Sequence, residues 1–243
     1  MEIIRGKRNG NVYQISFWFS LIGFLLLPVI FLFPFLILLD IKDANFDLSN
    51  LILYYQDSDF QSKMIITQFI AEVVGIVIII GFLKNIYIYD FKSLKDKWYY
   101  KLLIVVGGVI LLYVTNIILI TIYENLGIIG ESENQNLVEE ALASNMRGFM
   151  IIMVVIVAPI FEEVIFRKLL IGYLTEKAHL SDGVSFLIST FTFALIHVLD
   201  PASIVYIFIY LALSAIITLS YFLSKKNIYV STILHMLNNF LSL

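Results

Sequence analysis

Glu162 and Glu163 stand side by side in an apolar run, with Arg167 four positions after the second of them. Two adjacent carboxyl groups in such surroundings are expensive. One charge near the middle of a membrane-spanning helix costs at least about 2.5–3.5 kcal/mol on insertion scales, so each needs a partner or a function. In a helix, Glu163 can pair with Arg167 at i,i+4, while Glu162 projects about 100° away and stays available. A buried ion pair with a second carboxylate snorkelling to the interface accounts for these three residues equally well. His197, one turn after Phe193, and His235, one turn before Asn239, lie in two further apolar runs. A lone intramembrane His or Asn is commonly hydrogen-bond glue between helices. The set carries more, because an imidazole exchanges protons near neutral pH, a carboxylate accepts them and an amide N–H donates to a developing oxyanion. Together these are the parts of a site that activates water for hydrolysis.

The elements that must position them are membrane helices. The chain is 60% hydrophobic and 14% charged over 243 residues, and its mean hydropathy is +0.92. These values exceed what a soluble domain of this size needs. The apolar runs are long enough to cross a hydrocarbon core of about 30 Å, which takes about 20 helical residues. They lack the short alternating segments of a barrel. The expected fold is therefore an all-α polytopic bundle of about seven spans. These fall near Val12–Leu39, Met64–Leu83, Tyr100–Tyr123, Gly148–Leu170, Val184–Leu199, Ala202–Leu223 and Ile228–Leu243. The basic start with Arg5, Lys7 and Arg8 precedes a run too long for a signal peptide, so the first span reads as uncleaved and kinked by Pro28 and Pro34.

Charge sets the orientation. Lys84, Lys92, Lys95 and Lys97 mark one connection, and Asp40, Asp43, Asp47, Asp57 and Asp59 mark another. The positive-inside rule then places the N-terminus, Lys84–Lys101, Arg167–Lys177 and Lys225–Lys226 in the cytoplasm and Tyr123–Arg147 outside. No loop is large enough for a soluble domain, so the chain is read as one integral-membrane domain, with N-terminal spans over 1–147 and the polar motifs in 148–243. The outer segment Asn134–Ser144 can form one apolar face from Leu137, Ala141 and Leu142, though a plain connector is the simpler reading. The net charge of -3 and the lack of a Lys/Arg cluster exclude a nucleic-acid partner. The absence of cysteine excludes thiol catalysis and thiolate metal sites. Lys in excess of Arg, with frequent Ile and Asn, fits an AT-rich genome and a bacterial cell membrane.

The ordered motifs Glu162-Glu163-xxx-Arg167, Phe193-xxx-His197 and His235-xxx-Asn239 resemble those of the CPBP family, the CAAX-protease and bacteriocin-processing (Abi) membrane proteins. The resemblance spans about Gly148 to the C-terminus and implies an intramembrane endopeptidase acting on a peptide or small protein at the bilayer. By similarity, Glu162 would be the general base and His197 would help hold the attacking water. His235 and Asn239 would stabilise the oxyanion, Glu163 and Arg167 would fix the site, and Phe193 would pack beneath it. Glu162, His197 and His235 would also offer a carboxylate and two imidazoles to zinc, if the enzyme is metal-dependent. Activation by Glu162 and His197 alone stands equally. A bacterial substrate would be a leader-bearing bacteriocin, a pheromone or a membrane-anchored peptide rather than a prenylated protein.

The alternatives are a non-enzymatic immunity factor or membrane scaffold on the same fold, and a proton-coupled transporter. The second would usually show inverted repeats, which are not visible. No HExxH, GxSxG or GxGD motif is present. His179 reads as a solvated turn residue, and Glu72 in the second span as a structural hydrogen-bond partner rather than a gate or proton carrier. One tension remains. Counted at 1.5 Å per residue, His197 falls roughly 10 Å too far out to meet Glu162 unless its helix starts early and projects into the cytoplasm, capped at Ser181-Asp182-Gly183. A separation above about 8 Å, beyond bridging by one water, would reject the catalytic reading.

Overall fold

The computed structural model describes Trp18, residues 58–128 and residues 130–243, and all regular structure among them is helical. The expected first span and the acidic stretch up to Asp57 lie outside the described residues. The helices are α1 (Ser58–Ser93), α2 (Trp98–Asn125), α3 (Glu133–Ala143), α4 (Arg147–Glu176), α5 (Asp182–Ile196), α6 (Ile207–Leu223) and α7 (Ile228–Leu241). A 3-10 turn at Pro201–Tyr206 leads into α6.

Among the described residues, four helices are long and apolar enough to cross a membrane: Ile65–Ser93, Trp98–Asn125, Arg147–Glu176 and Pro201–Leu223. The seven-span expectation is not borne out. With 15 residues in α5 and 14 in α7, these helices reach roughly 22 and 21 Å, short of a core of about 30 Å. The apolar run of the expected fifth span overstates its helix, because α5 ends at His197 and Asp200-Pro201 starts a new turn. Conversely, α1 extends through Lys84 and Lys92, so the lysine-rich connection shrinks to the turn at 94–97. The segment read as a plain connector is the helix α3, capped by Ser132. Its inner face is Val138, Ala141 and Leu142, whereas Leu137 is exposed.

The connections gather at two ends. At one, Lys226 pairs with Asp182 at 2.7 Å, Lys168 pairs with Asp90, and Asn227 donates to the Asp90 carbonyl at 2.7 Å. At the other, the Tyr123 hydroxyl donates to the Val205 carbonyl at 2.6 Å, and Ser203 Oγ accepts from the Glu133 N–H at 2.9 Å. One apolar cluster joins Ile79, Leu83 and Tyr87 of α1 to Val164, Leu169 and Ile171 of α4. Another joins Leu112, Ile217 and Leu234 of α2, α6 and α7. Small polar residues fill the tightest helix contacts. Ser185, Ser189, Ser214 and Thr218 are fully or almost fully buried, as suits packing where lipid supplies no hydrophobic drive. Apolar side chains such as Leu103, Ile110 and Ile118 face outward from α2.

α4 is not a uniform helix. Its turns widen to π geometry at Met153–Val157 and again at Val164–Ile171. Pro159 follows the first of these segments. A proline ring collides with the carbonyl four residues back and removes an N–H, so widening the preceding turn relieves the clash. Glu162 and Glu163 lie on the short α-helical stretch Ala158–Glu163 held between the two segments.

Candidate active site

The two adjacent carboxylates have different fates. Glu163 is fully buried, whereas the Glu162 side chain is 20% exposed and reaches a cavity of about 810 Å³. Glu163 Oε1 lies 3.2 Å from Arg167 Nη1 and accepts from His235 Nδ1 at 3.1 Å. Arg167 is itself wholly buried, and its Nη2 donates to Ser214 Oγ at 3.2 Å. The guanidinium also stacks over the Phe193 ring, 4.7 Å from its centroid.

Both imidazoles turn their Nε2 atoms to Glu162. His197 Nε2 lies 3.8 Å from Oε1, and His235 Nε2 lies 3.6 Å from Oε2. The separation of His197 falls well inside the 8 Å limit set from the sequence, and Ser181 caps α5 by accepting from the Val184 N–H at 3.3 Å. Each ring is oriented by its other nitrogen. His197 Nδ1 donates to the Phe193 carbonyl at 2.8 Å, and His235 Nδ1 donates to Glu163. A neutral imidazole whose Nδ1 is a donor presents a lone pair at Nε2. His197 is further clamped between the rings of Phe193 and Tyr210, with centroids at 4.4 and 4.9 Å. Phe193 meets the His235 ring edge-on at 5.9 Å and has no exposure, so one side chain braces both imidazoles from beneath.

Asn239 lines the same cavity and donates from Nδ2 to the Val154 carbonyl at 2.9 Å. An amide nitrogen carries two hydrogens, so one donor remains after that bond. The Val154 carbonyl lies in the first π segment of α4, so the widened turn supplies the acceptor that positions Asn239.

Among the described residues, no group of three His, Cys, Asp or Glu side chains is placed to hold a metal ion.

The family model described as Rce1-like, type II CAAX prenyl endopeptidase Rce1-like, matches residues 144–241. Residues 144–241 are therefore similar to that family. No curated protein and no solved structure matches the chain significantly. The matched segment contains every residue of the three motifs. The match starts just before α4, so α1 and α2 lie outside it.

The fold also brings to the site residues that sequence reasoning missed. Tyr210 and Ser214 serve His197 and Arg167 from α6, in a run of apolar and small residues with no distinguishing spacing. Glu72 was set aside, yet it lines the cavity that holds Glu162. Its expected hydrogen bond is present, from Gln68 Nε2 to Oε1 at 2.9 Å, and accounts for one of its oxygens. His179 is exposed in a turn, as expected. At the far end of the cavity, Glu131 has its carboxyl pushed above the usual range, first by burial and then by repulsion from Glu139.

Proposed function

We propose that this chain is an intramembrane endopeptidase of the CPBP/CAAX-protease type that hydrolyses a peptide bond in a membrane-associated or leader-bearing peptide. The observation that carries the reading is the convergence of His197 Nε2 and His235 Nε2 on the two oxygens of Glu162, at 3.8 and 3.6 Å. With both rings neutral, three acceptors would face one another and a single water could satisfy only two. Charge balance selects the third. Glu162, Glu163 and Arg167 sum to one uncompensated negative charge in a largely buried cluster, and an imidazolium at His235, in contact with both carboxylates, neutralises it.

Water then donates one hydrogen bond to Glu162 and one to His197. Glu162 removes a proton as the water oxygen attacks the carbonyl carbon, and the carbonyl electrons move to oxygen. The oxyanion is met by His235 Nε2–H and the spare N–H of Asn239. The protonated Glu162 gives its proton to the departing nitrogen as the C–N bond breaks, leaving a carboxylic acid and an amine. Glu163 and Arg167 hold His235 in the required orientation.

Cleavage of a peptide library by the protein reconstituted in liposomes tests this. Glu162→Gln is expected to lower kcat/KM by about 10²–10⁴-fold, the usual range for a lost general base, with the thermal unfolding transition retained. Turnover surviving both Glu162→Gln and His235→Ala would reject the site and favour a scaffold. A strong chelator is expected to leave turnover unchanged; loss on chelation that zinc restores would replace the metal-free mechanism.

A further inference from the structure

The cavity holding Glu162 is lined by Glu72, Glu124, Glu131 and Glu162, and among the described residues by no lysine or arginine. Acidic walls alone would mean only a solvated rim. Glu72 is different, because it is 8% exposed on α1 and still faces the cavity. Gln68 satisfies its Oε1, whereas Oε2 is buried with no hydrogen-bond partner among the described residues. Its position is fixed by close packing one turn further on. A Cβ at Gly75 would meet the Phe161 ring at 3.1 Å, and Phe161 immediately precedes Glu162. α1 is thus pressed against α4 at the level of the reacting groups. A buried carboxylate with an unpartnered oxygen is unfavourable until a proton or a cation completes it.

Building on the protease reading, we propose that the cavity selects peptides with a cationic nitrogen near the scissile bond, received by the Glu72 carboxylate, which turns its unpartnered oxygen to the ligand. The nitrogen belongs to a Lys or Arg side chain or to a free amino terminus. Glu72 is then the residue that reads substrate charge, while Glu162 beside it activates water. The family match begins at residue 144, so this selectivity comes from a helix outside the matched segment.

The test uses internally quenched apolar peptides in pairs that differ by Lys against Gln at one position, each with a free or an acetylated amino terminus. Binding, by fluorescence anisotropy in detergent, and cleavage are measured separately. The wild type is expected to favour the cationic member by about tenfold to a hundredfold in Kd and KM. Glu72→Gln is expected to narrow the preference to within about threefold, while Glu72→Asp and the exposed control Glu140→Gln keep it. The arm that carries the preference, Lys or free amine, identifies the source. Peptides bound with a preference that Glu72→Gln abolishes, yet never cut, would sustain the charge selection and remove the protease reading. No preference in the wild type, or one that survives Glu72→Gln, overturns the inference even where cleavage is seen. If Glu72→Gln does not fold, Glu72→Met takes its place: a preference that survives this change also overturns it.

Discussion

Arg167 organises the site without facing the cavity. Its guanidinium holds Glu163, reaches Ser214 and stacks on Phe193, and Glu163 in turn orients His235. Removing one partner of a buried ion pair leaves the other uncompensated, at a typical cost of about 3–5 kcal/mol. Arg167→Met is therefore expected to destabilise the protein by about that amount, read as a lowered unfolding midpoint in detergent. The double variant Arg167→Met with Glu163→Leu should recover part of the loss, because no lone charge remains. Equal destabilisation of the single and double variants would show that shape, not charge compensation, sets the penalty. The Glu163–Arg167 half of this network was legible from i,i+4 spacing. Ser214 was not, because it lies 47 positions away on a helix of apolar and small residues. The hydrogen bond expected of Glu72 is present, but a span read alone shows a polar residue and not the cavity it faces.

The helices that carry the histidines are the shortest of the site, so their neighbours must hold them. α7 rests on α2 where Gly108 faces Leu234, the residue before His235. A Cβ at Gly108 would lie 2.6 Å from Leu234 Cδ2, and Leu234 is fully buried with no room to swing away. Gly108→Ala should cost about 1–3 kcal/mol by overpacking and displace His235, lowering cleavage. Adding Leu234→Val, which shortens the facing side chain, should restore much of both. Failure of that second change to rescue activity would mean that α7 is placed by other contacts. Sequence patterns located each of these helices but misjudged their lengths. Hydropathy counts an apolar run across a turn, as at His197–Pro201, and cannot see that Pro159 loosens α4 into π geometry. That loosening sets the Val154 carbonyl that orients Asn239, so the spacing of HxxxN alone could not locate the amide.

Among the described residues, the connections sort by end in the order that the charges suggested. The end of α1, the last turns of α4, the start of α5 and the α6–α7 junction meet through Lys168–Asp90, Lys226–Asp182 and Asn227–Asp90. The end of α2 and the start of α3 meet the Pro201–Tyr206 turn. The alternation holds whatever depth α5 reaches, because an α5–α6 hairpin returns to the end it left. By the positive-inside rule, the end that carries these lysines is expected in the cytoplasm. The chain has no cysteine, so one substitution supplies one thiol for a membrane-impermeant maleimide. Lys95→Cys and Lys177→Cys, both at exposed positions, should label in inside-out vesicles and stay protected in intact cells. Glu140→Cys on the exposed face of α3 should do the reverse. Exchange of the two patterns would invert the orientation and leave the fold intact. Labelling of Lys95→Cys and Glu140→Cys from the same side would mean that α2 does not cross. Glu162 would then not be buried within the bilayer, and a membrane-embedded peptide could not be its substrate.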